Sequence, residues 1–576
     1  MKKRVLYGNA NYAEIVRKQG YFVDKTAYIE QLEWVDNPVF LRPRRFGKSL
    51  WCRILECYYN IAQRDEFDEL FGQTYIGQHP TPLRNAFFVL HLDFSTVDPT
   101  GSLDEIAASF NRICNLTLKT MVGLSKAWFH GAIEIALNES AAANLELVLK
   151  YAQEHQLPAL YVIIDEYDNF ANQLITAHQD HLYRQVTADD SFLKTFFKIL
   201  KAGRKTGAIA NVFVTGVLPI TMDELASGFN IATFLTLDPT FEQMLGFTQT
   251  ETEHLVDSIY ADYRFDPATR SDVLTVLKQQ YNGYHFVAAD GEAVYNSTIV
   301  LYFLDQFCRH KTIPEYLTDL NSKTDLSWVK RITSASPGST EEFVDRLTTE
   351  RRMPYNKDAL ISKFNMAQFF EEGFYPISFY YSGMLTKQDD YYLTLPNLNM
   401  QKIFVEYFNE LHQLDVSTRY AEMMQRFIRD LDLSALFAGY WEQYVAQLPE
   451  AIFAQVNENF YRTTFYALCS QYLSRWFTWN VERSYPQGRT DLEFAGKYHE
   501  QFAGVRLVIE FKYYSNAEFK KLKTTLTKFR LQQADTAQIA GYVEGLRQEY
   551  PEARVSQYVI YCFGDQGFRV FAVAPS

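Results

Sequence analysis

Short apolar runs alternate with longer amphipathic stretches over the first 240 or so residues, the pattern of a mostly parallel sheet covered by helices. Four runs have the length and composition of buried strands: "PVFLRP" (38–43), "FFVLHLDF" (87–94), "LYVIIDE" (160–166) and "NVFVTGV" (211–217). Between them, "KSLWCRILECYYNIA" and "DSFLKTFFKILKAGRK" repeat large apolar residues at spacings of three and four, which predicts helices with one buried face. This pattern defines a first unit over 1–245. From 246 to 400 the chain turns to Tyr-rich helical segments with short strand-like pieces, predicting a helical lid or winged-helix-like region. Residues 401–440 read as a helical linker, with helical periodicity running on to about 475, and 441–576 as a final α/β unit. In that last unit "RTDLEFAG" and "RLVIEFKYY" read as neighbouring strands. The tract 516–546 reads as helical, and "QYVIYCFG" with "FRVFAVA" as a hairpin-like pair. The fold class predicted is α/β.

Composition narrows the function classes. With 576 residues, 47% of them hydrophobic, the chain supports several domains and excludes disorder. A formal charge of −13 argues against a protein that coats nucleic acid through bulk positive charge. The proposed charge-bearing tail differs: residues 481–576 hold 13 basic and 11 acidic side chains. Six cysteines without a C-x-x-C pair give neither a disulfide framework nor a zinc knuckle, and read as buried free thiols. The start has no apolar signal region and no stretch approaches the roughly 18 to 20 apolar residues of a membrane span, so a cytoplasmic location without membrane contact is expected. His178 and His181 form the one close histidine pair and read as structural or surface residues. No Gly-x-Ser-x-Gly elbow or His-Glu-x-x-His helix is present, which removes serine hydrolases and zinc proteases.

Arg42-x4-Gly47-Lys48-Ser49 is a phosphate-loop pattern whose first glycine is replaced by Arg42, set between a predicted strand and a predicted helix. Such a loop offers free helix N–H groups to phosphate. Lys48 would reach the phosphates and Ser49 would ligate magnesium, while Arg42, Arg44 and Arg45 add positive charge. "ALYVIIDEYDNF" delivers Asp165 and Glu166 at the end of an apolar strand, the first to hold the magnesium and the second to polarise the attacking water. Thr215, ending "NVFVT", is a candidate γ-phosphate sensor, and Arg44 or Arg204 a candidate arginine finger. Thr386-Lys387-Gln388-Asp389 matches a guanine-reading motif but lies far from this sheet in sequence, so ATP is the expected nucleotide.

A second constellation sits near the C-terminus. Glu510 and Lys512 project from the same face of a strand, and Asp491 on a neighbouring strand can meet Glu510. Two carboxylates and a backbone carbonyl suit magnesium or manganese, and Lys512 would orient the water that attacks a phosphodiester. Glu458, on a preceding helix, can add a carboxylate, and Gln538 and Tyr542 share one helix face over the site. Lys512, Lys520, Lys521, Lys523, Lys528 and Arg530, against the single acid Glu518, form a tract able to follow a phosphate backbone.

The strings "YFVDKTAYIEQL", "RPRRFGKSL", "VIIDEYDNF", "VFVTGVLPITMDELASGFN", "LGFTQTE", "YNGYHF" and "YYSGMLT" resemble the bacterial AAA-ATPase-like family that carries a C-terminal PD-(D/E)XK nuclease domain. The resemblance runs from Tyr21 to Tyr542 in the order of the motifs. It implies an N-terminal phosphate-loop ATPase-like sheet domain and a C-terminal restriction-endonuclease-like α/β domain. It further implies that Arg42 replaces glycine normally, that Asp491, Glu510 and Lys512 form the nuclease core, and that Gln538 and Tyr542 match a Gln-x-x-x-Tyr element. Glu458 then matches the family's early helix acid. His285 and "YNSTIV" depart from the family pattern.

The expected function is an ATP-binding, ATP-regulated, metal-dependent nuclease acting on DNA in preference to RNA, in defence against foreign nucleic acid, with homo-oligomers a route of control. The alternative is a nucleotide-switched interaction protein that binds nucleic acid or a partner without cutting. A translocating motor is a third class, and helicase motifs for it are absent.

Overall fold

The computed structural model describes residues 3–219, 229–318, 337–360, 368, 370–416, 419–485, 488–498 and 500–574. The string "ITMDELASG" (220–228) of the family pattern lies outside them. The four apolar runs become β1 (Pro38–Leu41), β2 (Phe88–Asp93), β3 (Leu160–Asp165) and β4 (Ile209–Gly216), joined by the short β5 (Thr233–Phe234). β3 is buried at every residue, as a strand apolar on both faces must be. All pairings are parallel in the order β2-β3-β4-β1-β5, so β4 is inserted between β1 and β3. The loop after β1 and the acidic end of β3 therefore open at the same sheet edge.

Helices cover this sheet. α1 (Lys48–Tyr59) packs on β2 and β3, with Tyr59 stacked on Tyr161 at 4.4 Å. α2 (Leu103–Leu124) is opened by a capping box of Ser102 and Glu105. α3 (Ala141–Glu154) packs against α2 and against α4 (Phe192–Thr206), whose first turn is capped by Ser191 and whose last turn carries Arg204 and Lys205.

The middle region contains α5 (Gln249–Tyr263), α6 (Arg270–Tyr281), α7 (Ser297–His310) and α8 (Pro337–Glu350). It also holds a three-stranded antiparallel sheet in the order β6 (Arg352–Pro354), β8 (Tyr392–Thr394), β7 (Thr386–Lys387). α9 (Leu398–Leu411) follows, then α10 (Ala421–Asp430) and α11 (Leu433–Gln443).

The stretch expected to be a linker differs from that expectation. Phe437 of α11 packs on Phe465, Phe511 and Phe568 at 5.1, 6.0 and 5.2 Å between ring centres, so this helix belongs to the core of the C-terminal unit. That unit adds α12 (Glu458–Leu473), β9 (Phe477–Val481), a small ribbon of β10 (Ser484–Tyr485) and β11 (Gly488–Arg489), β12 (Leu492–Gly496) and β13 (Val505–Tyr514). α13 (Gln533–Glu549) carries the chain across to β14 (Arg554–Phe563), parallel to β13, and β15 (Gly567–Val573) closes the antiparallel pair anticipated there. The sheet order is β15-β14-β13-β12-β9. The predicted continuous helix over 516–546 is instead a short helix, Asn516–Lys521, followed by α13. Thr524, Thr525 and Thr527 fall in the gap, where β-branched side chains weaken a helix. Among the described residues no helix is long and apolar enough to cross a membrane, and all six cysteines are buried and unpaired.

Candidate functional site

At the β1 end of the first sheet, Gly47 adopts the left-handed conformation (φ 94°) and caps α1, a turn open to glycine at little cost. Lys48 is 4% exposed, donates to the Pro43 carbonyl at 3.2 Å and stands 3.6 Å from Glu166. Asp165 is 3% exposed, and burial raises its carboxyl more than the Ser49 hydrogen bond lowers it. Its Oδ1 has no hydrogen-bond partner among the described residues. A buried cation, a hydroxyl and a carboxylate with an open oxygen are thus brought together at a helix N-terminus, where a nucleotide phosphate and a hard divalent ion fit. A cavity of about 260 Å³ adjoins the loop, lined on its apolar side by Leu6, Phe22, Phe247 and Leu301.

Three of the predicted binding residues are placed differently. Arg42 is 1% exposed, and its guanidinium lies between the Phe40 and Phe286 rings at 4.2 and 4.3 Å. It donates to the carbonyls of Leu41, Thr236, Phe241 and Glu242, and burial lowers it to about 10. Arg42 therefore fastens the loop to the segment after β5 instead of facing phosphate. The Thr215 hydroxyl, expected to sense phosphate, is fully buried and donates to the Phe40 carbonyl at 2.7 Å, a bond within the sheet. Arg204, a candidate finger, is bound to Asp36 and to the Ile209 and Ala210 carbonyls. Arg44 and Arg45 remain in the loop, half-buried.

Motifs of the middle region, expected as a helical lid or winged-helix-like region, close on the phosphate loop. Phe46 packs edge-on against Tyr284 and Phe286 at 5.0 and 5.3 Å. The Gly246 N–H donates to the Phe46 carbonyl at 3.2 Å, and the Thr298 N–H to the Arg45 carbonyl at 3.0 Å. Asn296 and Ser297 reach the Arg44 and Arg45 carbonyls at 3.4 Å each. Gly383 lies so close to Pro43 that any side chain would collide with it. Thr386 and Lys387 are tied to the backbone of 285–287, which accounts for them without a base-reading role.

The C-terminal carboxylates form a row. The register Val481↔Leu492↔Ile509 places Glu482, Asp491 and Glu510 side by side one step further on, all on one face. Glu510 is 2% exposed; Lys512 and Gln538 donate to its Oε1 at 2.8 and 2.7 Å, while its Oε2 has no partner among the described residues. Gln538 is itself bonded to Tyr542. Asp491 Oδ2 accepts the Phe511 N–H at 2.8 Å and Oδ1 faces Arg462 at 3.3 Å. Burial, then the charge of Asp491, pushes the Glu458 carboxyl up to about 7 and Glu510 well above the usual range. Burial opposes the charge on Lys512, yet the Glu510 hydrogen bond and charge leave it raised. Asp491 and Glu510 offer hard oxygen donors, and the Glu510 Oε2, without a partner among the described residues, fits a divalent cation. Hydrogen bonds join Glu510, Lys512, Gln538 and Tyr542, while Asp491 lies beside them and its charge acts on Glu458 and Glu510. Arg462, Arg351 and Glu482 were missed: Arg462 follows Glu458 by four residues on one helix face, the signal that could have found it.

A parallel sheet with a phosphate loop is thus joined to a mixed sheet bearing an Asp/Glu-x-Lys site. Residues 6–226 match the family model described as a predicted AAA-ATPase, and residues 456–572 match that of the PD-(D/E)XK nuclease superfamily. The chain joins an AAA-ATPase-like domain to a C-terminal PD-(D/E)XK nuclease-superfamily domain. No curated protein matches it.

Proposed function

We propose that the protein is a metal-dependent nuclease whose cleavage of DNA phosphodiester bonds is governed by ATP at the phosphate loop. The observation that supports this most is the Glu510–Lys512 hydrogen bond beside Asp491 and Glu458, with a Glu510 oxygen that has no partner among the described residues. Asp491 and Glu510 would hold magnesium or manganese, with Glu458 beside them. Bound there, the ion would supply a lowered water pKa and neutralise charge on phosphate oxygens. Lys512 holds its ammonium toward the same edge and orients the attacking water, while Gln538 and Tyr542 fix the Glu510 carboxylate. The exposed Lys520, Lys521, Lys523, Lys528 and Arg530 follow β13 directly and supply backbone contacts to nucleic acid.

At the other site Lys48 binds phosphate, Ser49 and Asp165 would ligate magnesium, and Glu166 acts on the attacking water. Its left-handed backbone (φ 50°) fixes the direction in which the Glu166 side chain leaves β3. Incubation of the chain with DNA and RNA substrates, with and without ATP, magnesium and manganese, tests the reading: metal-dependent cleavage that ATP modulates is expected.

One observation favours a second reading, a nucleotide-switched binding protein that does not cut: Arg462 already engages Asp491. That reading expects ATP-dependent assembly, with every substrate left intact.

A further inference from the structure

We infer that Arg351 links the phosphate loop to the nuclease carboxylates by controlling how firmly Arg462 grips Asp491. The inference rests on the proposed role of Asp491 as a metal ligand. Arg351, between α8 and β6, and its partner Glu482, after β9, both have left-handed backbone (φ 61° and 53°). Non-glycine residues occupy that region at a cost, so the surrounding contacts hold both in place.

Those contacts form a chain. Arg351 donates to Glu482 Oε2 at 2.8 Å, and Arg462 donates to Glu482 Oε1 at 3.1 Å and to Asp491 Oδ1 at 3.3 Å. The other Asp491 oxygen is occupied by the Phe511 N–H. A metal ion at this site competes with Arg462 for Asp491. When Arg351 releases Glu482, Oε2 is freed beside the Oε1 that Arg462 already shares with Arg489 at 3.4 Å, and the carboxylate draws Arg462 off Asp491. Removal of a nearby positive charge also favours a divalent ion. Arg351 therefore acts as a brake on metal binding.

The far end of the chain touches the phosphate loop. The Thr394 hydroxyl donates to the Arg351 carbonyl at 2.7 Å, and across the small sheet Thr394 pairs with Arg352 on one side and Thr386 on the other. Thr386 accepts the His285 N–H at 2.6 Å, and the neighbouring Phe286 ring rests on Arg42 and Phe46. The row from Thr386 to Arg352 crosses two strand spacings, about 10 Å. A shift of the loop thus reaches Arg351 through a hydrogen-bonded sheet, a physical route between the two sites.

The test is Mn2+ binding to the full chain, followed by electron paramagnetic resonance with and without a non-hydrolysable ATP analogue. The nuclease site is defined as the binding lost in Asp491→Asn. In the native chain the analogue tightens this site at least ~fivefold, a coupling of ordinary size. Arg351→Gln binds Mn2+ about fivefold tighter without nucleotide and gains nothing from the analogue, whereas Arg351→Lys, which keeps the charge, restores the native affinity. Thr394→Val leaves the basal affinity in place and loses the response, so the test survives misfolding of the first variant. An analogue that leaves the native affinity unchanged, or an Arg351→Gln variant that responds like the native chain, overturns the inference. A chain that shows this response yet cuts nothing supports the link and refutes the proposed cleavage.

Discussion

At the residue scale, each site pairs a buried carboxylate, one oxygen of which has no partner among the described residues, with a cation held nearby. Asp165 has Lys48 in its surroundings, and Glu510 has Lys512 at 2.8 Å. Unpaired buried charge is expensive, so such groups persist where a ligand completes them. Because the Glu458 carboxyl is pushed up to about 7 and Glu510 is raised further, the metal-free site carries protons at neutral pH that a bound ion must displace. Raised carboxyl values mean that affinity is weak at low pH and grows as pH rises. Calorimetric Mn2+ titrations are therefore expected to show binding that strengthens from about pH 6 to 8, with proton release, and levels off above. In the first domain, Glu166→Gln is expected to keep nucleotide binding within about twofold while phosphate release falls at least ~100-fold, measured in steady-state assays.

At the element scale, the placement of α11 separates a linker from a structural layer. Phe437 is fully buried among Phe465, Phe511 and Phe568. Phe437→Ala should destabilise the C-terminal unit by about 3–5 kcal/mol, seen as a lower midpoint in denaturant, whereas a linker residue would cost well under 1 kcal/mol. The parallel strands were legible in the sequence because fully apolar runs such as that of β3 have few other places to go. Asp491, Glu510 and Lys512 were legible through strand alternation. The wrap of the middle region around the phosphate loop was not, because Gly246, Phe286 and Asn296 lie about 200 residues or more from Phe46 and carry no periodic signal of contact. Arg42 misled for a related reason: a basic residue in a phosphate loop suggests an anion, and only the fold shows its guanidinium between two rings.

At the scale of the whole molecule, the middle region is the joint through which the two domains are connected. It braces the phosphate loop at one end, and at the other Gln279, Asp272 and Arg351 reach β9, Arg506 and Glu482 of the nuclease unit. Under the proposed function such a joint would give nucleotide state a mechanical path to the nuclease-type site, and the basic tail would be where an otherwise acidic chain meets nucleic acid. Deleting that charge, with Lys520, Lys521, Lys523 and Lys528 changed to Gln together, should weaken DNA binding and flatten its salt dependence in fluorescence anisotropy, with nucleotide affinity unchanged. The most direct measurement is cleavage of a mixed nucleic-acid panel under Mg2+ or Mn2+ by the native chain, Asp491→Ala and Lys512→Ala. Metal-dependent cleavage that falls at least ~100-fold in both variants is the predicted result. Cleavage unchanged in both, or none by the native chain with any metal, nucleotide or substrate, would contradict the account.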